Sequence, residues 1–201
     1  MNSSEYNIKR SKHDFAVWVN EWSQVRQTLS RMSELNQRTR ESKRMQEEAF
    51  VVYRYVKEFY RYQDIFIELR DGSQNFDAII YDGEGAQVEY LEITIVPQEN
   101  DHHLRRELVE KGGYSLHTIL THNPSLYSYA KSVSEGIKKK LAKIYPPDTT
   151  LLVELASEMV IEDDERFNYI ISHLDPSLSA GVFRKIVLFD EVGTFYFTIE
   201  P

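Results

Sequence analysis

Two acidic residues in a predicted hairpin are the clearest candidates for chemistry in this sequence. Asp77 lies in the run Phe76–Asp82 and Glu92 in the run Gln87–Val96, and both runs have the composition of short strands around residues 83–86, which contain two glycines. A four-residue loop between the strands places Asp77 directly opposite Glu92, where paired side chains share a face with Cβ atoms about 5 Å apart. Two carboxylates at that distance repel each other, and a divalent metal ion between them is expected to balance their charge.

This inference depends on the length of the loop. The four-residue loop requires that Asp82 pair with Gln87, whereas a three- or five-residue loop would put the two acids on opposite faces. The alternative interpretation is a sheet with one wet face, along which the two acids contact only water. The neighbours of Glu92 favour the metal site, because they make a mostly buried strand (Leu91, Ile93, Ile95 and Val96). An acid on a buried strand is costly unless it is paired or bound to a metal.

Composition limits the classes of function. The chain has 201 residues, which is enough for one domain with a full core or for a core domain with an appendage. It contains no cysteine, which excludes disulfides, thiolate metal sites and cysteine nucleophiles, and which suits a cytoplasmic protein. No apolar run approaches the roughly 20 residues of a membrane span, and the first ten residues lack the apolar segment of a signal peptide. The net charge of −8 predicts no general affinity for nucleic acid, so such a function needs a local basic patch.

Hydrophobic periodicity predicts an α/β fold with a central mixed β-sheet flanked by helices. Ser11 and Asp14 resemble a capping box at the start of a first helix, whose apolar stripe runs from Phe15 to Met32 and carries Trp18 and Trp22. The expected order continues with a helix from Met45 to about Tyr62, strands at 64–70, 76–82 and 87–96, a short helix with Leu104 and Leu108, a long helix at 125–144, a strand at 150–156, a helix from 163 to 174, and strands at 184–190 and 194–200. We expect residues 1–44 to form an N-terminal helical extension and residues 45–201 to form the mixed-sheet domain.

Two basic clusters are candidates for contact with nucleic acid. The long helix carries five lysines (Lys131, Lys138, Lys139, Lys140 and Lys143), and the polar segment before the second helix carries Arg38, Arg40, Lys43 and Arg44. The simpler interpretation is that both are solvated faces, with cations favoured near the C-terminal end of the long helix. Four histidines (His102, His103, His117 and His122) have spacings that match no zinc pattern.

The order of helix, three strands, helix and strand resembles the restriction-endonuclease-like, or PD-(D/E)XK, nuclease superfamily. Asp77 in FDAIIYD and Glu92 in LEITI are the residues that match its motif, and the resemblance covers about residues 46–156. It implies that Asp77, Glu92 and the backbone carbonyl of Ile93 bind Mg²⁺, or Mn²⁺ in its place. Glu47 or Glu48, in the helix before the sheet, is a weaker match to a further acid of the family.

One residue departs from the family pattern, because the third strand reads Glu92-Ile93-Thr94 where the family has Glu-x-Lys. Thr94 cannot supply a positive charge. Some members of the family take this lysine from the following helix, which implies Lys140 as the first choice here. The resemblance then predicts a metal-dependent nuclease that hydrolyses phosphodiester bonds, with DNA as the expected substrate, and it assigns Lys131, Lys138, Lys139 and Lys143 to the nucleic-acid backbone.

Two alternatives stay open from the sequence. The first is a catalytically silent protein of the same fold that serves as a binding or assembly module, which Thr94, the net charge of −8 and the aromatic first helix favour. A helix of that kind suits a partner protein or a homodimer. The second alternative is an unrelated α/β domain whose hairpin acids face water.

Overall fold

A mixed sheet of seven strands forms the centre of the described part of the chain, which comprises residues 6–30, 45–71, 74–97, 123–157, 160 and 163–201 of a computed structural model. The strands are β1 (Arg10–Ser11), β2 (Ile65–Leu69), β3 (Ala78–Asp82), β4 (Gln87–Pro97), β5 (Thr149–Ala156), β6 (Lys185–Asp190) and β7 (Tyr196–Ile199). Their order in the sheet is their order in the chain. The pairs β4–β5 and β5–β6 are parallel and the other four are antiparallel, so the predicted mixed sheet is confirmed.

The helices of the described residues follow the predicted hydrophobic periodicity. They are α1 (Lys12–Ser30), a π-helical turn (Met45–Ala49) that continues into α2 (Phe50–Phe59), α3 (Asn123–Leu141) and α4 (Asp164–Ser172). The predicted capping box is present, because the Ser11 hydroxyl accepts from the Asp14 amide at 3.1 Å and donates to the Asp14 carboxylate at 2.7 Å. The first of these bonds satisfies a backbone donor that a helix start otherwise leaves without a partner, and the second holds the two side chains together.

The helices cover both faces of the sheet. One hydrophobic cluster joins α1 and α2 to one face, and it includes Phe15, Tyr55 and Leu152, none of which is exposed. The other cluster joins α3 and α4 to the opposite face and includes Ile137 and Leu151. The neighbours Leu151 and Leu152 of β5 therefore pack on opposite sides, as the two-residue period of a strand requires.

The hairpin between β3 and β4 differs from the prediction at its turn but keeps the predicted register near the acids. Tyr81, not Asp82, is the partner of Gln87, and the amide of Asp82 donates to the carbonyl of Ala86 at 2.9 Å. The loop therefore has three residues and ends at Gly85. The φ of Gly85 is +88°, a backbone conformation that glycine adopts at little cost because it has no Cβ. The prediction of a four-residue loop with an Asp82–Gln87 pair is wrong.

A β-bulge restores the register that the shorter loop would have lost. The register shifts between Ile80 and Tyr81, so that Val88 on β4 is an extra residue without a partner on β3. Beyond the bulge Ile80 pairs with Glu89 and Ala78 with Leu91, as the predicted register requires. Asp77 and Glu92 are the next residues on the two strands, and they are therefore brought together in spite of the three-residue loop.

Several predictions concern parts of the chain that lie outside the described residues. These are the basic segment at residues 38–44, the short helix with Leu104 and Leu108, the four histidines, and the end of the first apolar stripe at Met32. The division into residues 1–44 and 45–201 stays a prediction, although α1 shares a hydrophobic cluster with α2 and β1 pairs with β2. Among the described residues, none of the helices combines the length and the apolar character that crossing a membrane requires.

Candidate active site

The ammonium group of Lys140 joins two of the three predicted metal ligands. Lys140 lies in the last turn of α3, and its Nζ donates to Glu92 Oε1 at 2.6 Å and to the backbone carbonyl of Ile93 at 3.0 Å. Glu92 lies on β4 and is only 7% exposed, so the ion pair is mostly withdrawn from water. A carboxylate in such a place needs a cation, and the lysine supplies it.

Asp77 lies at the end of the β3–β4 ladder and binds the strand with its side chain. Its amide donates to the carbonyl of Leu91 at 2.7 Å, and its Oδ2 accepts from the amide of Ile93 at 2.7 Å. The carboxylate therefore takes the place of a backbone acceptor for β4. Ile93 is thus held by Asp77 through its amide and by Lys140 through its carbonyl.

The charges around Asp77 oppose its ionisation. Burial raises the pKa of Asp77 to about 7, and the negative charges of Glu92 and Glu48 add to this rise. The bond from the Ile93 amide and the charge of Lys140 act in the opposite direction. Glu48, a predicted candidate in the π-helical turn, therefore lies close enough to influence the site. A carboxyl group that a neighbouring carboxylate perturbs in this way is characteristic of functional sites as well as of some structural ones.

A tyrosine that the sequence interpretation missed lies beside the two acids. The hydroxyl of Tyr145 is buried and has no hydrogen bond of good geometry among the described residues, although it interacts with Glu92. Burial raises the pKa of Tyr145 well above its usual value, and the charges of Glu92 and Asp77 raise it further. Nothing in the local sequence marks this residue, because it follows the end of α3 and only the return of the chain toward β5 brings it to the acids.

A second buried glutamate on β4 has a different environment and shows what a structural acid looks like here. Glu89 is 1% exposed and accepts hydrogen bonds from the hydroxyls of Tyr55, Tyr60 and Thr150. Its oxygens are satisfied by neutral donors inside the core. Glu92 instead faces a cation and lies beside another carboxylate, so the two glutamates of this strand lie in different electrostatic environments.

The other predicted lysines lie on the surface, three of them on α3 and Lys143 just after its end. Lys131, Lys138, Lys139 and Lys143 are exposed, and Lys138 forms an ion pair with Asp175. The hydrogen bond from Lys138 holds the pKa of Asp175 well below its usual range. The structure therefore brings Lys140 to Glu92 and leaves the other four lysines on the surface, where they are available to a polyanion or to water alone.

The donor set at the site suits a hard divalent cation in its chemistry. The carboxylates of Asp77 and Glu92 and the carbonyl of Ile93 present oxygen atoms, the type of donor that Mg²⁺ prefers. Among the described residues no three or more Asp, Glu, His or Cys side chains are arranged so that they could hold a metal ion. Two carboxylates are enough for Mg²⁺, because this ion usually keeps several waters and takes other ligands from substrate phosphates.

Comparison of the chain with known proteins identifies no relative. No family model, no curated protein and no solved structure matches the chain. A proposed function therefore rests on the arrangement of Asp77, Glu92, Ile93 and Lys140.

Proposed function

We propose that this protein is a metal-dependent nuclease with a restriction-endonuclease-like core, in which Asp77, Glu92 and the carbonyl of Ile93 hold Mg²⁺ and Lys140 takes the part of the missing motif lysine. The observation that carries the proposal is the pair of hydrogen bonds from Lys140 to Glu92 and to the carbonyl of Ile93. In the chain, α2 precedes the antiparallel strands β2, β3 and β4, and α3 precedes β5, which is parallel to β4. This order supports the same proposal.

Thr94 leaves a need for positive charge that Lys140 meets from α3. A lysine beside a metal-binding carboxylate orients a water and neutralises charge on a phosphate. Bound Mg²⁺ would supply Lewis-acid stabilisation of the charge that develops on a phosphodiester during hydrolysis. Asp77 fixes β4 through the Ile93 amide, and it therefore also sets the direction of the neighbouring carbonyl group.

The exposed lysines on α3 and just after its end would hold the nucleic-acid backbone. Lys131, Lys139 and Lys143 make no ion pair among the described contacts, and each neutralised phosphate adds to affinity through release of counterions. Because the whole chain carries a net charge of −8, binding has to rely on this local patch, and it should weaken steeply with salt. DNA is the substrate that we expect.

The proposal is tested by titrating Mg²⁺ and Mn²⁺ into the wild type and into Asp77→Ala and Glu92→Ala variants, with calorimetry as the readout. Binding in the wild type that both variants lose is the expected result. Glu84→Ala is the matched control, because Glu84 is an exposed acid in the turn of the same hairpin. Cleavage of plasmid DNA and of RNA is then measured for each protein. Cleavage that survives in either site variant would overturn the assignment.

A catalytically silent binding module is the second candidate, and one observation favours it. The ammonium of Lys140 already bonds two of the three proposed metal ligands, so the lysine is able to replace a metal ion as the cation of the site. In that case the wild type binds neither Mg²⁺ nor Mn²⁺. The same titration therefore separates the two functions before any substrate is found.

A further inference from the structure

The hydroxyl of Tyr145 is a buried donor that lies beside Glu92 without a well-formed hydrogen bond among the described residues. The residue also lies near Asp77. Glu92 Oε1 already accepts from Lys140, and Asp77 Oδ2 from the Ile93 amide. Buried hydroxyls in native proteins nearly always have partners, so an unsatisfied one beside a candidate site points to a ligand.

The backbone on both sides of Tyr145 is held in place. The side chain of Asn75 donates to the carbonyl of Ile144 at 2.8 Å, which ties the residue before Tyr145 to the segment that leads into Asp77. After Tyr145, the hydroxyl of Thr149 donates to the carbonyl of Pro146 at 2.7 Å. The tyrosine ring packs on Phe183 with a centroid distance of 4.6 Å. These contacts position the hydroxyl and limit its freedom to swing toward water.

We infer that the Tyr145 hydroxyl donates a hydrogen bond to a phosphodiester oxygen of the nucleic acid that binds at the Asp77–Glu92 site, an inference that rests on the proposed function. Lys140 and Tyr145 are five residues apart, one in the last turn of α3 and the other just beyond it, and both interact with Glu92. They would form two donors on one side of the site. A neutral hydroxyl is suited to this role because it binds an anionic oxygen without competing for the metal.

The protonation state of Tyr145 agrees with the role of a donor. An ordinary tyrosine hydroxyl, with a pKa of about 10, is already neutral at neutral pH, and burial raises the pKa of Tyr145 further. A general base would need the opposite shift. Tyr145 would therefore position the substrate and would neither accept a proton from water nor act as a nucleophile.

The test compares the wild type with Tyr145→Phe, which removes only the hydroxyl oxygen. Tyr62→Phe is the matched control, since Tyr62 is 92% exposed. Binding of a fluorescent DNA oligonucleotide is measured by anisotropy with Ca²⁺ in place of Mg²⁺, and cleavage is measured with Mg²⁺. We expect Tyr145→Phe to weaken binding or to lower kcat/KM about ten- to a hundred-fold, the usual effect of losing a hydrogen bond to a charged group. The thermal midpoint should stay unchanged or rise, because the variant no longer buries an unsatisfied hydroxyl.

The outcomes separate this inference from the proposed function. Weaker oligonucleotide binding by Tyr145→Phe supports the hydroxyl contact even if the wild type cleaves nothing, in which case only the nuclease proposal fails. Wild-type binding and cleavage that Tyr145→Phe retains in full would overturn the contact and leave the nuclease proposal standing. A wild type that binds no oligonucleotide overturns both. A lower thermal midpoint with unchanged binding would show that the hydroxyl has only a structural role.

Discussion

At the scale of single residues, Lys140 is where the two proposed functions differ most. In an active nuclease its ammonium orients water beside a bound metal ion, and in a silent protein it replaces that ion. Both interpretations share the same contacts to Glu92 and the Ile93 carbonyl. Removal of the charge should therefore have opposite consequences for the metal and for the reaction, and this makes Lys140 the most informative residue to change.

We predict that Lys140→Met retains Mg²⁺ binding at least as tight as in the wild type and loses at least about a hundred-fold in cleavage rate. The metal ligands remain, whereas the cation that competes with the metal and orients water is gone. The loss of the partner of Glu92 should also cost about 1–3 kcal/mol of stability without metal. Lys139→Met, which changes an exposed neighbour, is the control. Calorimetry and a cleavage assay provide the readouts, and wild-type cleavage by Lys140→Met would contradict the prediction. Metal binding gained only in the variant would identify the silent protein.

Glu154 is a second buried acid with an unusual environment, on the opposite side of the sheet from the α3 helix. It is 5% exposed and forms an ion pair with Arg54. Burial raises its pKa to about 7. The positive charge of Arg54 lowers this pKa, whereas the negative charges of Glu191 and Asp190 raise it. Since the folded-state pKa is above the unfolded value of 4.5, its contribution to stability is complete below pH 4.5 and is lost as the pH rises through about 7.

We predict that Glu154→Gln removes this pH dependence. Between pH 4.5 and 7 the free energy of unfolding of the wild type should fall relative to that of the variant, by at most about 3 kcal/mol. The variant keeps an oxygen for Arg54 but has no proton to release. Urea denaturation at several pH values measures the difference, with Glu165→Gln as an exposed control. A difference between the wild type and Glu154→Gln that does not change with pH would rule out this account.

At the scale of elements, the β3–β4 hairpin determines whether the two acids meet. Its three-residue loop alone would place them on opposite faces, and the unpaired Val88 reverses that effect. The glycines at 83 and 85 predicted a turn, and the alternating apolar residues predicted two strands. Neither pattern predicts the position of a bulge, because a bulge depends on how the side chains and hydrogen bonds of two whole strands match. The register at the acids was predicted correctly, but from a wrong loop length.

We predict that deletion of Val88 preserves the site. The residues on either side of it, Gln87 and Glu89, already pair with neighbouring residues of β3, so the deletion straightens the hairpin without moving Glu92. The cost should be less than about 2 kcal/mol, as for most changes outside the core. NMR contacts between Ala78 and Leu91, together with calorimetric metal binding, measure the outcome. Deletion of both Val88 and Tyr90 is the contrasting variant, because no extra residue is left to absorb the second loss and Glu92 moves to the other face. Loss of the Ala78–Leu91 contact after deletion of Val88 would contradict the role of the bulge.

At the scale of the whole molecule, the sequence predicted the elements better than their assembly. The helix stripes and the apolar strands are local patterns, and α1, α3 and β5 lie within a few residues of their predicted places. The meeting of Lys140 with Glu92 was available only as a choice among several lysines, since it depends on how α3 packs on the sheet. Tyr145 was missed for the same reason, because its place at the site is set by the path of the chain between α3 and β5.

The packing of α1 bears on whether residues 1–44 are a separable extension. Phe15 and Val19 are not exposed at all, and Trp18 is 8% exposed, within the cluster that also holds α2 and the sheet. The side chain of Lys12 donates to the carbonyls of residues 60, 61 and 63, where α2 ends. Because of these contacts, the segment that contains α1 forms part of the hydrophobic core and contributes to its stability. Burial of three large apolar side chains is worth about 5–8 kcal/mol, which is comparable to the whole stability of many domains.

We predict that a fragment of residues 45–201 loses cooperative folding. Without α1 it exposes the apolar face of α2 and leaves the carbonyls at the end of that helix without the Lys12 ammonium. Near-ultraviolet circular dichroism should show weak tertiary signals, and the thermal transition should be broad or absent. Addition of a peptide of residues 6–44 should restore both, because the lost contacts are non-covalent. A fragment that unfolds cooperatively at the midpoint of the intact chain would instead establish residues 1–44 as a dispensable extension, and the first helix would then be free to serve a partner.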